Sequence, residues 1–393
     1  MSGRVSSDQS RWIGVGRSAD PDPAQAAREA AGAALQGPDA RLLLVFCSTA
    51  YDAAALLEAV AAVAPGVAVV GCSTAGEIAT SGPAESSVVI TALGGPGFSI
   101  ATAVARDAPA DLRQAGAEAA ACISSIEERE HRALLLLTDG LAGDQTLIVR
   151  GAYSVVGAQV PLVGGCAGDD LRMSRTHQFH GREVLSGAVV AAAIGSDAPL
   201  GIGVRHGWRR VGDPMLITRS AQNRVHEIEG RPALDVYFER LAAPAEVRTD
   251  SAAFVRFAQV HPLGLASRSE EHVRFIGDAD FEQRTLGCIA EVPQGALAWL
   301  MEGDYSSVLE ATDAACQDAL EALGAAPPLG LLAFDCIARR GVLGDEGIRD
   351  EVQRVVARGG GAPVAGFYTY GEIARTRGIN GFHNQTLVVL ALA

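Results

Sequence analysis

The sequence lacks the features that mark several broad classes of protein. It has no basic stripe to neutralise phosphate, and its net charge is -14, which argues against a nucleic-acid or anionic-membrane partner. Its seven cysteines are an odd number without a CxxC pair, which is typical of a reducing compartment rather than a disulfide framework. The polar N-terminus has no apolar signal core, and no apolar run is long enough to cross a bilayer. We therefore expect a soluble, cytoplasmic protein.

The common catalytic motifs are also missing, since there is no P-loop, no complete GxGxxG after a strand and no HExxH. His177 and His180 form an HxxH pair, but their neighbours favour a loop or strand and no third metal ligand is evident. Cys72, Cys166 and Cys336 lie near strand ends, where a thiolate could act, although such cysteines are more often simply buried. We rank an enzyme below a binding protein and expect no metal.

A repeated plan runs through the chain. An apolar strand, a helix, a second strand, a glycine-containing turn and a further strand occupy residues 42–93, and the same order recurs over residues 329–393. A looser third copy spans residues 133–194. This pattern predicts an α/β fold of repeated βαββ units, which form mixed sheets flanked by helices in two domains. Ser48 or Thr49 is the expected N-cap of the first helix and Asp144 that of the second.

We place the domain boundary near Gly230, where EGRP interrupts a strand-rich region. Residues 1–40 then form a partly disordered N-terminal leader, residues 41–230 an N-terminal domain and residues 231–393 a C-terminal domain.

Each main copy carries the same phrase directly after its second strand. GCSTAGEIA runs from Gly71 to Ala79 and GFYTYGEIA from Gly366 to Ala374, while the third copy has GGCAGDD with Asp169 in place of the glutamate. Glycines at a strand exit permit a tight turn whose free amides form an anion-binding concavity. With hydroxyls and a carboxylate beside it, such a turn suits a small zwitterion such as an amino acid. Alternatively, the glycines serve only the turn and the glutamate caps a neighbouring amide.

The predicted ligand-binding residues are the motif positions of both copies and a polar pair in the later FHNQT segment. They are Gly71, Cys72, Ser73, Thr74, Gly76, Glu77, Gly366, Tyr368, Thr369, Gly371, Glu372, His383 and Asn384. We expect the two turns to be related half-sites that face one cleft. A histidine satisfied within a hairpin is the alternative for His383.

The chain resembles the FIST proteins from about residue 41 to its end. The resemblance rests on VAVVGCSTAGEIATSG, PLVGGCAGDD, GRPALDVY, LLAFDCIARR and APVAGFYTYGEIA with FHNQTLVVLAL. It implies an N-terminal and a C-terminal FIST region and a sensory role for small ligands, with amino acids among the candidates. FIST-like sequence reaches the last residue, so we expect signalling through a separate output protein, such as a histidine kinase or a cyclase.

Two further interpretations stay open. Some free-standing FIST proteins are described as haem proteins that sense nitric oxide, so the resemblance implies haem as an alternative cofactor. The candidates for its axial ligand are His177, His180, His206 and His383. The second interpretation, ranked last, is a thiol-dependent enzyme that uses Cys72 or Cys336.

Overall fold

The computed structural model describes residues 11–266, 272–376 and 381–393 of the protein. Within these residues, three units of one design form the body of the molecule, and a further module is inserted into the third unit. Each unit runs strand, helix, strand, helix, strand, then two short strands and a closing strand. The predicted fold class of repeated βαββ units in mixed sheets flanked by helices, in two domains, is confirmed. Each unit also has one more strand and helix at its start than the sequence pattern indicated.

The first two units are continuous in the chain. The first unit contains β1 (Trp12–Ser18), α1 (Pro23–Ala34), β2 (Ala40–Cys47), α2 (Ala53–Val63), β3 (Ala68–Ser73), β4 (Glu77–Ala79), β5 (Gly82–Ala84) and β6 (Val88–Gly94). The second unit contains β7 (Phe98–Ala105), α3 (Leu112–Ala120), β8 (His131–Thr138), α4 (Gln145–Val156), β9 (Leu162–Cys166), β10 (Gln178–His180), β11 (Glu183–Leu185) and β12 (Val189–Ser196).

The third unit is interrupted after its first strand, β13 (Leu200–Arg205). The inserted module contains β14 (Arg209–Ala221), β15 (Arg224–Ile228), β16 (Arg231–Pro232), α5 (Ala233–Arg240), α6 (Ser251–Val260), β17 (Leu263–Leu265), β18 (His272–Arg274), β19 (Ile276–Asp280), β20 (Thr285–Cys288) and β21 (Leu297–Glu302). The unit resumes with α7 (Tyr305–Glu321), β22 (Gly330–Cys336), α8 (Ile337–Arg358), β23 (Val364–Thr369), β24 (Glu372–Arg375), β25 (Phe382–His383) and β26 (Leu387–Leu392).

Each unit forms a sheet in which its own strands follow the order first, last, second, third. These orders are β1-β6-β2-β3, β7-β12-β8-β9 and β13-β26-β22-β23. The second and third strands of each unit are parallel, as a crossover helix between them requires. The two short strands leave their own sheet and extend a neighbouring one, because β4 pairs with β23, β10 with β3 and β24 with β9. The three sheets are therefore interlocked in a cycle.

The central core lies between the three sheets. Phe46, Phe334 and Phe367 meet there, with ring centroids 4.7 Å apart for Phe46 and Phe367 and 5.7 Å apart for Phe334 and Phe367. These aromatic residues come from β2 of the first unit and from β22 and β23 of the third, so the core joins units distant in sequence. Apolar residues under the helices form separate clusters on the outer faces of the sheets.

Glycines in the first strands allow helices to pack directly on the sheets. A Cβ atom on Gly16 of β1 would lie 2.0 Å from the carbonyl oxygen of Ala30 in α1. On Gly203 of β13 it would lie 1.9 Å from the carbonyl oxygen of Ala315 in α7. Small residues on both sides of this contact explain why glycine and alanine are abundant in a chain with few aromatic residues.

Short acidic side chains cap most of the helices. Asp144 caps α4, as predicted, but the prediction for α2 is wrong, because Asp52 accepts the free backbone N–H groups of its first turn. The hydroxyls of Ser48 and Thr49 instead donate to Asp170, at 3.2 and 3.1 Å. None of the helices in the described ranges combines the length and apolar character needed to span a membrane.

The inserted module has its own eight-stranded sheet and its own apolar core around Tyr237 and Phe254. The predicted domain boundary at residue 230 lies inside this module, between β15 and β16. Much of the predicted leader belongs to the body, because β1 pairs with β6 and the buried face of α1 covers that sheet. Residues 1–10, the rest of the leader, lie outside the described residues.

Replacing Gly203 by alanine tests the close packing of α7 on β13. Because the new methyl group would collide with helix backbone, we expect Gly203→Ala to lower the free energy of unfolding by about 2–4 kcal/mol. Urea denaturation followed by circular dichroism measures the change.

Gly32→Ala is the matched control. Gly32 lies within α1 and a Cβ there meets no atom within 4 Å, so this variant should be about 0.5–1 kcal/mol more stable than the wild type. Equal stability of the two variants would contradict the packing interpretation.

Candidate functional site

The three strand-exit turns meet at one point of the body, where two cycles of backbone hydrogen bonds join them. In one cycle, a residue of each turn donates its backbone N–H to a carbonyl oxygen at the end of the third strand of another unit. These bonds run from Ala75 to Tyr368 (3.0 Å), from Gly168 to Ser73 (3.0 Å) and from Tyr370 to Cys166 (3.2 Å). In the other cycle, strand ends donate to the turns: Ser73 to His177 (2.9 Å), Cys166 to Gly371 (2.8 Å) and Tyr368 to Gly76 (2.8 Å). The repeated phrase is thus the joint that closes the body, and these amides are used within the protein.

The first glycine of each copy has one steric role. A Cβ atom at these glycines would lie 1.8–2.0 Å from a carbonyl oxygen of the parallel neighbouring strand: Gly71 against Val45, Gly164 against Leu136 and Gly366 against Ala333. Only glycine permits this approach. The second glycine of the first copy, Gly76, has φ +117°, a conformation that side chains disfavour.

Glu77, the acid of the first copy, is fully buried and acts as a hydrogen-bond anchor. Its Oε1 accepts from the Thr74 hydroxyl at 2.5 Å, and its Oε2 accepts from the backbone N–H and the hydroxyl of Ser87 at 3.1 and 2.7 Å. Ser87 directly precedes β6, so the carboxylate ties the turn to the closing strand of its own unit.

Glu372 repeats this arrangement in the third unit. It accepts from the Thr369 hydroxyl and from the backbone N–H and hydroxyl of Thr386, the last two at 3.1 and 2.8 Å. Thr386 directly precedes β26. The recurrence of threonine and glutamate in the two phrases therefore has a structural cause.

The middle copy uses a different residue for the same purpose. Gln178, the first residue of β10, donates through Nε2 to Thr176 at 3.1 Å and accepts at Oε1 from the N–H of Ala188 at 3.2 Å. The expectation that Asp169 replaces the glutamate is wrong. Asp169 instead accepts the N–H groups of residues 173–175 and the hydroxyl of Tyr370, which fixes an extra loop, residues 168–177, between the turn and β10.

Burial raises the pKa of both carboxyl groups from the ordinary value of 4.5 to about 7, although the hydrogen bonds described above act in the opposite direction. Both groups therefore titrate near neutral pH. Gln178 has the same role without a titratable proton.

A cavity of about 930 Å³ lies beside the joint, between the body and the inserted module. Ala75 and Tyr370, at the tips of two turns, border it together with the loop of the third turn. The start of α8 forms another wall, and Val255, Phe275 and Ile289 border it from the inserted module. Its size falls within the range of small-molecule sites, and its lining is largely apolar with a few polar groups.

Hydrogen bonds fix the module against the body next to this cavity. Gln259 of α6 donates to the carbonyl oxygen of Ala338 at 3.0 Å, and Gln385 donates to the carbonyl oxygen of Gln259 at 2.6 Å. Gln385 has φ +57°, which is unusual for a residue with a side chain. The FHNQT segment thus takes part in the contact between body and module.

Arg340 and Tyr370 are held in place at the cavity wall. Arg340 donates to the carbonyl oxygen of Ala75 at 3.1 Å and pairs with Glu85. The Tyr370 hydroxyl donates to Asp169 at 2.5 Å and accepts from the N–H of Leu171 at 2.7 Å. Since a guanidinium has five N–H donors, Arg340 has donors beyond these two contacts for a ligand.

Among the predicted ligand-binding residues, Asn384 borders the large cavity. Ser73 borders a smaller pocket of about 190 Å³ near the start of α2. The other motif positions are buried behind these walls and line neither space. Their assignment as ligand contacts stays a prediction, while their hydrogen bonds give them a structural role.

The four histidines proposed as haem ligands lie apart from the large cavity. His177 borders the smaller pocket, which is below the roughly 300–1,000 Å³ typical of ligand sites. His180 contacts the Thr102 hydroxyl at 3.1 Å. His383 contacts the carbonyl oxygen of Ala374 at 2.8 Å, and burial lowers its pKa to about 4. His206 accepts the N–H of the residue two positions on at 3.0 Å. These residues do not fit haem in the large cavity.

The two cysteines considered as nucleophiles are both buried. Burial raises the pKa of the Cys72 thiol well above its ordinary value, and burial together with the nearby Glu372 does the same for Cys336, which borders the cavity. Both thiols are therefore protonated at neutral pH, which is unfavourable for a nucleophile. Residues 11–266, 272–376 and 381–393 contain no cluster of three or more metal-ligating side chains.

Sequence reasoning missed most of the cavity wall. Ala75 and Tyr370 occupy one of the three positions at which the two phrases differ, and Val255, Phe275 and Ile289 belong to the module that the repeat does not include. FHNQT was the one available signal, because it places polar residues beside a motif turn.

Substituting both buried glutamates by glutamine tests their anchoring role. Because each pKa is higher in the folded than in the unfolded protein, the stability that each carboxyl contributes is fully present below pH 4.5 and is lost as the pH rises through 7. In the wild type, the free energy of unfolding should therefore decrease with rising pH by at most about 3 kcal/mol for each site. We expect this decrease to be absent from the Glu77→Gln, Glu372→Gln double variant. Urea denaturation at pH 5, 6, 7 and 8 measures it.

Glu77→Ala is the control. It removes the hydrogen bonds as well as the titratable group, so we expect a loss of about 2–4 kcal/mol at pH 5 that becomes smaller at pH 8, where the wild type has itself lost stability. A double glutamine variant whose stability kept the wild-type dependence on pH would show that the two carboxyl groups are not its source.

Comparison with known proteins gives relatives that are themselves described as uncharacterized. An uncharacterized protein of Mycobacterium tuberculosis is 27% identical over 393 residues, which cover 95% of this chain and 97% of that protein. An uncharacterized protein of Methanocaldococcus jannaschii is 25% identical over 153 residues, 37% of this chain and 30% of that protein. The crystal structure of a cyanuric acid hydrolase from A. caulinodans matches 48% of this chain and 71% of its own at 14% identity and a TM-score of 0.29, too low to support an argument.

Family models match most of the chain. The FIST N domain matches residues 41–231 and the FIST C domain residues 233–375, so the two models meet within the inserted module. FIST domains indicate a sensory role in which a small ligand is bound. The chain therefore belongs to the FIST family.

Proposed function

We propose that this protein is a cytoplasmic sensor that binds a small polar metabolite, an amino acid or a related compound, in the large cavity. It then signals through a separate output protein such as a histidine kinase or a cyclase. The observation that carries the proposal is the position of the cavity. Turns of all three units border it on one side and the inserted module on the other, so one ligand contacts both parts of the molecule.

The cavity wall suits a ligand with both polar and apolar parts. Arg340 offers a guanidinium to a carboxylate, and Asn384 offers a carboxamide. Phe275 and Ile289 offer apolar surface from the module, and Met173 does so from the loop. A zwitterion with an apolar side chain would use all of these groups.

Ligand binding would reach the surface through the attachment of the module. Gln259 and Gln385 form hydrogen bonds between α6 and the body at the cavity wall. A ligand that prefers one position of the module shifts the population towards that position. The output protein would recognise the resulting surface, and the net charge of -14 favours a protein partner over nucleic acid or an anionic membrane.

The loop at residues 168–177 brings apolar side chains to the cavity wall. Asp170, Leu171 and Met173 all have positive φ, and the side chains of Leu171 and Met173 are more than half exposed at the cavity mouth. An apolar ligand part would cover these side chains and offset the exposure. Leu171 and Met173 are thus expected to contact the ligand.

Narrowing the mouth tests the location of the site. A screen of the amino acids by thermal shift identifies those that raise the melting temperature, since a ligand that binds only the native state stabilises it by mass action. Met173→Trp should weaken the binding of such a compound by about tenfold or more, equivalent to about 1.4 kcal/mol, in isothermal titration.

Val155→Trp is the matched control, because Val155 is an exposed residue of α4 that does not border the cavity. Its affinity should equal that of the wild type. Equal affinity of both variants would place the site elsewhere, and a screen in which no amino acid binds would contradict an amino acid as the ligand.

A further inference from the structure

Asn384 has an unusual environment for a buried amide. Its side chain is 3% exposed and borders the large cavity, yet its Oδ1 has no hydrogen-bond partner among the described residues. Its Nδ2 donates to no atom in that part of the chain either. Rotating the amide by 180° exchanges oxygen and nitrogen, so in either orientation the group is a donor and acceptor pair without partners.

A buried amide without partners destabilises the protein unless something else satisfies it. The adjacent Gln385 has a similar feature, because its Nε2 donates to Gln259 while its Oε1 is buried without a partner among the described residues. Both residues lie in FHNQT, which contacts the inserted module through Gln385. A ligand in the cavity that hydrogen-bonds to Asn384 would satisfy this group.

We infer that the ligand presents a planar amide edge, as found in a carboxamide, a lactam or an imide, which pairs with the carboxamide of Asn384 through one donated and one accepted hydrogen bond. This inference rests on the proposed function and narrows it to a class of ligand. A carboxylate alone has no N–H donor and an ammonium group alone has no acceptor, whereas an amide edge presents a donor and an acceptor side by side in one plane. Asn384 is the specificity-determining residue of the cavity.

The aromatic residues of the wall are compatible with a planar ligand. The Tyr370 ring is fixed by the two hydrogen bonds of its hydroxyl, and Phe275 lies in the wall formed by the module. Faces of aromatic rings favour flat ligand groups. A compound with an amide edge offers such a face together with its hydrogen bonds.

Two pairs of probes test the inference on the wild-type protein. Glutamine and glutamate have nearly the same shape but differ in the carboxamide. Uracil has N–H donors beside its carbonyl acceptors. In 1,3-dimethyluracil, methyl groups replace both N–H hydrogens, so only the acceptors remain. We expect glutamine, uracil or both to raise the melting temperature at millimolar concentration, and glutamate and 1,3-dimethyluracil to leave it unchanged.

The Asn384→Leu variant separates recognition from structure. Leucine has a similar size without unsatisfied polar atoms, so the variant without ligand should melt about 2 °C higher than the wild type and should lose the shift caused by the amide probe. Asn223→Leu is the matched control. Asn223 donates to the carbonyl oxygen of Cys288 at 2.7 Å, so its replacement should lower the melting temperature.

Each outcome decides the inference. A shift with the amide member of a pair alone, lost in Asn384→Leu, supports it. Binding of glutamate or another amino acid without an amide edge, while glutamine and uracil have no effect, overturns it and leaves the sensory function in place. A lower melting temperature of Asn384→Leu without ligand assigns Asn384 a structural role and also overturns it, as does the absence of a shift with all four probes.

Discussion

The body of this protein depends on the close approach of backbones at the strand-exit turns. Gly71, Gly164 and Gly366 allow each third strand to lie against its parallel neighbour without side-chain collision. The chain then leaves its own sheet, and the turns donate and accept hydrogen bonds in two cycles that join the three units. Because every one of these bonds links different units, no unit completes its own backbone hydrogen bonding. The cavity lies directly beside this joint.

The repeated phrase therefore reflects the architecture more directly than the ligand. Threonine and glutamate recur because Glu77 and Glu372 connect a turn to the residue before the closing strand. Gln178 makes the corresponding contacts in the middle unit, which shows that the geometry needs a side chain of this length and hydrogen-bonding capacity rather than a charge. Ligand recognition is instead assigned to positions where the copies differ, such as Tyr370 and Asn384.

The sequence predicts much of the fold because alternating apolar runs and glycine-containing turns are local signals. It could not reveal that the two short strands after each turn join a different sheet, since partner choice between strands depends on tertiary packing. In the middle unit, the extra loop separates Gln178 from the glycine-containing turn. Asp169 instead lies near the position that the other two copies predict for the glutamate. The first strand and helix were missed because the alanine-rich α1 and the glycines of β1 lack a strong apolar pattern. The cavity was partly predictable, since Asn384 was recognised, but the residues contributed by the module have no counterpart in the repeat.

With the large cavity as the proposed ligand site, the inserted module also determines how many such sites one chain has. Three similar units would by themselves provide three similar strand-exit edges, each with the start of a helix beside it. The insertion follows β13 alone, so it covers the edge near α8 and leaves the edge near α2 with the smaller pocket of about 190 Å³. An internally repeated body thus acquires one distinct site through a single asymmetric addition, and the expected stoichiometry is one ligand for each chain.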